Sequence, residues 1–346
     1  EVLYFPDHLH HATCNLDEFV LGVGAQGRTD AWPLLHRAAR GGQVAVVQAL
    51  VEDGGDVDSR DAVGNRALHY AVAGGHMPVV ALLVGAGADM RRRDEAGKHA
   101  ALAAAERGDL EIVRFLIEAG APLRRKDNGG AQALHWAALS GHEATIEYLL
   151  TMRSPIDARD SRGTEPIHWA ALESDVATLQ FLVAHRSDPL ASSTDGTRPL
   201  HWAAGVGHAS IVGYLLEQRA SPDVKDSRGT TPLHFASAQN RAAVVLRLAA
   251  GRANLENSAD GQGGMRPAHA AAGMGHRATL HALLSARASP DVADAGGRRP
   301  AHAAAEQGHT VVLKYLATMR AALGALDTRG LAPLALATSN AKSEAR

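Results

Sequence analysis

The chain has 346 residues, of which only 4% are aromatic, so any core must come from Leu, Ala and Gly between closely approaching elements. That composition suits thin stacked layers better than one thick interior, and the length fits either two globular domains or one repeat array. With 35 Lys and Arg against 37 Asp and Glu, the formal charge is -2. This argues against a general nucleic-acid or membrane-surface binder, because both need a positive field. Cys14 is the single cysteine, which leaves no intrachain disulfide framework and no Cys-based zinc cluster and fits a reducing, cytoplasmic setting. No run of 18 apolar residues is present, so no membrane insertion is expected. The chain opens with Glu1 instead of an apolar signal segment, which leaves open an organellar setting reached by a targeting peptide since removed.

Residues 1–28 read as an N-terminal extension that caps the rest of the chain or docks on a partner, with Leu16, Phe19 and Val20 spaced for a short amphipathic helix. His8, His10, His11 and Cys14 offer imidazole and thiolate ligands, so metal binding is one reading of this stretch and a flexible segment is the other. Gly22, Gly24 and Gly27 match the dinucleotide fingerprint, which requires a preceding strand and a helix opening at the glycines. Only residues 19–21 are available as a strand, and no βαβ unit follows, so no cofactor is expected.

From Trp32 to about Leu336 the text repeats every 33 residues, with one two-residue insertion near Gly261 to Gly264. Leucine recurs at Leu50, Leu83, Leu116, Leu149, Leu182, Leu215, Leu248, Leu283 and Leu316. Histidine recurs at His36, His69, His135, His168, His201, His234, His269 and His302, with Leu102 and Ala335 breaking the series. A further histidine column, His76, His142, His208, His276 and His309, follows Gly. Around the main histidine column the text reads Gly-x-x-Pro-Leu-His-x-Ala-Ala, as in Gly196 to Ala204.

The prolines Pro166, Pro199, Pro232, Pro267, Pro300 and Pro333 fall where the first turn of a helix tolerates a missing N–H, and each predicts a helix start. Apolar residues at helical spacing, such as Ile146, Leu149 and Leu150, predict a second helix in each repeat. Asp-x-x-Gly between repeats, at Asp61, Asp160, Asp226 and Asp294, supplies turn chemistry.

On these motifs the chain resembles the ankyrin-repeat family, most closely at Asp226 to Asn240 and Gly64 to Asp89. The resemblance spans a domain at 29–346, with repeats starting near 29, 61, 94, 127, 160, 193, 226, 261 and 294 and a partial one near 327. It implies an all-α solenoid of stacked helix pairs with projecting hairpin-like fingers. It also implies that the thirteen histidines in register are structural, the main column by linking adjacent repeats, and that the domain binds other proteins. No nucleophile stands beside a base outside the repeat pattern, so no enzymatic activity and no small-molecule substrate are expected.

Three features suggest where a partner sits. The residue after the motif histidine is aromatic at Tyr70, Trp136, Trp169, Trp202 and Phe235, the inner-helix side that the family uses for binding, so an aromatic-lined groove is expected. Packing between repeats is the competing reading. The fingers of the first half carry basic residues, among them Arg60, Arg91, Arg92, Arg93, Arg124, Arg125, Lys126, Arg159 and Arg162, diluted by Asp58, Asp89, Glu95 and Asp157. These point to an acidic protein surface. At the end of the second helix, Gly54, Gly87 and Gly120 give way to Arg153, Arg186, Arg219, Arg252, Arg287 and Arg320. That column reads either as a favourable cation at a helix C-terminus or as a docking ridge.

The leading expectation is a non-enzymatic scaffold or subunit that binds a partner through the groove and the basic fingers. Its main rival is the regulatory or recruiting region of a larger enzyme. The pairs His135-Trp136, His168-Trp169 and His201-Trp202 look like those in ankyrin domains of membrane palmitoyltransferases, although the catalytic Asp-His-His-Cys motif is not in this sequence.

Overall fold

The computed structural model describes residues 34–173 and 175–337, so the extension at 1–28, with its His/Cys cluster and glycine fingerprint, lies outside the described residues. The chain divides into two compact units, Glu1–Ala100 and Ala101–Arg346.

In the first unit the helices are α1 (Leu34–Arg40), α2 (Val44–Glu52), α3 (Ala67–Gly74) and α4 (Met77–Gly85). The inner helices α1 and α3 pack on each other, and so do the outer helices α2 and α4. Ala38, Ala39, Ala67 and Ala71 are buried between the inner pair, where small side chains permit the close approach that the composition requires.

Helix α5 (Ala100–Arg107), which starts on the last residue of the first unit, and α6 (Leu110–Glu118) begin the same pattern in the second. It continues through α7 (Ala133–Leu139), α8 (Glu143–Thr151), α9 (Pro166–Ala170), α10 (Ala177–Ala184), α11 (Pro199–Val206) and α12 (Ala209–Glu217). The last pairs are α13 (Pro232–Ala238) with α14 (Ala242–Ala250), α15 (Pro267–Gly273) with α16 (Arg277–Ser285), and α17 (Pro300–Glu306) with α18 (Thr310–Thr318). Residues 333–337 are helical as well. From α7 to α17 each inner helix touches the next inner helix. Among the outer helices α6 touches α8, and the run α12, α14, α16 and α18 stacks in succession, so layers are held by their neighbours. None of these helices exceeds nine residues. Helices this short are not stable alone in water, and their stability comes from stacking.

The sequence accounts for the helix ends. Pro166, Pro199, Pro232, Pro267 and Pro300 are the first residues of α9, α11, α13, α15 and α17, each after an extended N-cap residue. Leu83, Leu116, Leu149, Leu182, Leu215, Leu248, Leu283 and Leu316 are all fully buried, as a core column should be. Leu50, in the first outer helix, is half-buried.

Between layers the chain makes tight turns. In the finger at Asp226, the Asp226 N–H donates to Thr230 O at 3.0 Å. The Asp226 carboxylate accepts from the N–H groups of Arg228 and Thr230 at 2.9 and 2.7 Å. The same carboxylate bracket recurs at Asp61, Asp160, Asp294 and Asp327. Only at Ala259 and Met265 do the described fingers form a β-bridge. The two-residue insertion is absorbed there, as a 3-10 turn at Asp260–Gln262 followed by Gly263 and Gly264 in left-handed conformation (φ 65° and 73°).

Consecutive fingertips of the second unit are tied to one another. Ser161 N–H donates to Gly129 O, Thr194 to Arg162, Ser227 to Asp195, Gly261 to Arg228, Ala295 to Gly263 and Thr328 to Gly296, at 2.9 to 3.1 Å. Gly130 shows why glycine is needed: its φ is 81°, and a Cβ would stand 2.5 Å from Ser161 N on the next finger.

Candidate interaction surface

The main histidine column is consumed by structure. Nδ1 of His69, His135, His168, His201, His234 and His302 accepts the backbone N–H three residues earlier, at 3.0 to 3.2 Å. That fixes the ring proton on Nε2. From there His135, His201, His234, His269 and His302 donate to a carbonyl of the next repeat, at 2.7 to 3.2 Å, while His36 and His69 donate to Ser59 O and Arg92 O, just ahead of the next repeat, at 3.1 and 3.2 Å. Burial drives the pKa of His69, His168, His201 and His234 down to about 4, so these rings are neutral at neutral pH.

The Gly-His column points the other way. Nε2 of His76, His142, His208, His276 and His309 donates to a carbonyl of the preceding repeat, at 2.8 to 3.1 Å. Where this column has Arg241, the guanidinium Nε makes the equivalent bond to Gly205 O at 3.0 Å. Among the described residues no group of three or more His, Cys, Asp or Glu is placed to hold a metal.

The expectation of an open, aromatic-lined groove is not met. Tyr70, Trp136, Trp169 and Trp202 are only 3%, 8%, 4% and 6% exposed, and Phe235 is half-buried. Four of the five rings turn edge-on to the histidine of the preceding repeat: Tyr70 to His36, Trp169 to His135, Trp202 to His168 and Phe235 to His201, with centroids 5.4 to 5.9 Å apart. Trp136 and Trp169 also meet edge to face at 5.1 Å. Their polar atoms are engaged in their own fingers. Trp136 Nε1 donates to Asp127 Oδ2 at 2.9 Å, Trp169 and Trp202 donate to the hydroxyls of Thr164 and Thr197, and Tyr70 donates to Asp61 at 2.5 Å. Burial and that last bond raise the Tyr70 phenol to about 12. A buried indole needs such a partner, and here it comes from the turn, so the aromatics lock helix to finger. The sequence signal was an acceptor upstream: Thr five residues before Trp169 and Trp202, Asp nine residues before Trp136 and Tyr70.

The basic finger residues are divided in use. In the first unit Arg92 pairs with Asp89 at 3.0 Å, and Arg66 Nη1 donates to Arg93 O. Burial, then the charges of Arg92 and Arg60, lowers the Arg66 pKa. In the second unit Lys126 Nζ donates to Arg159 O at 2.8 Å and Arg159 pairs with the buried Glu165 at 3.2 Å. Arg124 donates to Arg153 O at 3.1 Å. Arg125 and Arg162 are half-buried beside them. The charge is present on this edge, and part of it holds neighbouring fingers together.

The arginine column is different. Arg153, Arg186, Arg219, Arg252, Arg287 and Arg320 have φ between 59° and 76°, the left-handed region that the chain fills with Gly54, Gly87 and Gly120 in earlier repeats. A non-glycine residue there costs on the order of 1 kcal/mol. All six are exposed, and none forms an ion pair with another described residue. An open cavity of about 350 Å³ adjoins Arg219, lined by Pro189, Leu190, Arg198, Leu200 and Val224.

A family model described as ankyrin repeats (three copies) matches residues 9–94, 68–160, 150–226, 167–259 and 206–294. With the stacked helix pairs, the fingers and the linking histidines, this shows that the chain belongs to the ankyrin-repeat family, whose repeats indicate a protein–protein interaction module. Among solved structures it is similar to the ankyrin repeat domain of Bcl-3, described as a unique member of the IkappaB protein family. The two share 30% identity with a TM-score of 0.50, over 60% of this chain and 95% of that domain. No curated protein matches the sequence significantly. No helix among the described residues is long and apolar enough to cross a membrane.

Proposed function

We propose that the chain is a non-enzymatic scaffold that holds a partner protein with an acidic surface against its basic fingers. The observation that carries this reading is the ladder of N–H to carbonyl bonds joining consecutive fingertips of Ala101–Arg346. A tied edge is ordered before the partner arrives, so binding spends little on ordering loops. The charges of Arg125, Lys126, Arg159 and Arg162 stand on that edge, and Arg92 and Arg93 stand on the equivalent finger of the first unit. Residence in the cytoplasm belongs to the same proposal and rests on the single cysteine.

The test is capture of a partner from extract, its identification by mass spectrometry, and association kinetics against Arg92→Glu with Arg125→Glu. At low salt the double variant should associate several-fold more slowly, because steering by charge acts on the on-rate. An unchanged on-rate removes the fingers from the interface. The His-Trp pairs that suggested the region of a palmitoyltransferase-like enzyme are accounted for by packing, and no other observation favours that rival.

A further inference from the structure

We propose that the six-arginine column is a second docking surface, built to receive an extended acidic segment of another protein. Folding does not explain the arginines. At Gly54, Gly87 and Gly120, the same column in earlier repeats, an added Cβ would meet nothing within 4 Å. A side chain here stands in open space and gains no packing in return for its left-handed backbone. Where the chain elsewhere needs a non-glycine residue in this conformation it uses Asn240, the residue type that tolerates it best. A cation near a helix C-terminus is favourable, but a Lys or Arg in the last helical turn supplies it without a left-handed backbone.

The spacing selects the occupant. Stacked helices lie about 8–10 Å apart, so the arginines of successive repeats recur at about that interval. An extended peptide advances about 3.3–3.6 Å per residue, which brings every third side chain to the next arginine. Carboxylates of the protein itself lie between the arginines. Asp223, Glu256 and Asp291 each accept the backbone N–H two residues past the next arginine, at Asn254, Ser289 and Ala322 (2.7–2.8 Å). These interleaved negative charges oppose a dense polyanion such as duplex DNA, with a charge about every 1.7 Å of axis, and admit one whose charges are spaced. The cavity beside Arg219 adds a seat for one Leu-sized side chain, between Pro189, Leu190, Leu200 and Val224. The segment is therefore extended, with Asp or Glu at every third position and one apolar residue near its middle.

The probe is a fluorescein-labelled peptide of about eighteen residues with Glu at every third position and a central Leu, read by fluorescence anisotropy at low salt. The decisive variant changes Arg153, Arg186, Arg219, Arg252, Arg287 and Arg320 to Gly, the residue that the first repeats carry. Each exposed ion pair contributes little, and together they should weaken binding at least tenfold. The melting temperature should hold or rise, because left-handed strain is removed. Binding that survives the six changes overturns the proposal, and so does a melting temperature several degrees lower, which would make the arginines structural. A single-stranded oligothymidine that binds more tightly than the peptide through the same arginines also overturns it. The column begins beside a basic finger, where Arg124 donates to Arg153 O. The variant Arg92→Glu with Arg125→Glu should keep the peptide, and its loss there would place the peptide on the fingers and refute the ridge.

Discussion

Acid should dissolve the links between layers well before it titrates the carboxylates. His69, His168, His201 and His234 have pKa values of about 4 in the folded chain, against an ordinary value of 6.5. Because burial lowers these values, the unfolded chain binds more protons than the folded one between pH 6.5 and 4. Stability is therefore complete above pH 6.5 and falls as the pH drops through that window. For one such histidine, linkage from pH 7 to pH 5 removes about 2 kcal/mol. Three of the four lie in Ala101–Arg346, so that unit should lose about 6 kcal/mol if they titrate with a single cooperative transition. Of the carboxylates, Asp195, held low by bonds from Ser193 and Thr197 against the opposing effect of burial, loses its contribution only below this window. Burial raises Glu165, whose protonation in acid the folded chain therefore favours, opposing the histidines. Urea unfolding followed by circular dichroism at pH 7, 6 and 5 should show a midpoint falling steadily. A midpoint that stays level from pH 7 to pH 5, or imidazole resonances of these histidines titrating near 6.5, would refute the neutral, proton-excluding column.

Five substitutions test the packing. Trp169→Ala removes a ring buried against His135 and Trp136 and should cost about 3–5 kcal/mol in urea unfolding; a loss below 1 kcal/mol would return the tryptophans to the surface. Phe235→Trp should stabilise by about 1 kcal/mol, because the Thr230 hydroxyl has no hydrogen-bond partner where Thr164 and Thr197 receive an indole N–H. No gain in melting temperature would argue against the indole-to-finger lock. Gly130→Ala forces a left-handed residue against Ser161 N and should raise amide exchange at the tips of two adjacent fingers, whereas Gly54→Ala, facing open space, should change exchange only locally. Asp226→Ala leaves the N–H groups of Arg228 and Thr230 without their acceptor and should lower stability by about 1–3 kcal/mol; an unchanged melting temperature would show that solvent replaces the bracket.

The repeat was legible because its core positions are chemically uniform. A leucine that recurs at one register and a histidine at another can only mean that each layer meets the same neighbour, and Pro at the first helical position marked the inner helices from Pro166 onward. The aromatic residues were harder to read. A tryptophan after the motif histidine has the same spacing whether its ring faces out or wedges inward, and what decides is the acceptor for its N–H. Thr164 and Thr197 stand five residues upstream, inside what reads as turn chemistry, so the pairing emerges only once the finger folds back over the helix. The arginine column was visible as a substitution, but its exposure and freedom from ion pairs depend on side-chain positions that spacing does not fix.

The finger between Ala259 and Met265 carries a consequence for how such a chain can change. Two extra residues are accommodated in a 3-10 turn and two left-handed glycines, while Leu248 and Leu283 on either side remain fully buried. The bridge at its base and the bond from His234 Nε2 to Met265 O confine the added length to the tip. Length is thus negotiable at the tip and fixed in the layers beneath. The tip between Gly261 and Gly264 is accordingly where the fold tolerates added length, provided that Gly261 N–H still reaches Arg228 O and Gly263 O still receives the Ala295 N–H.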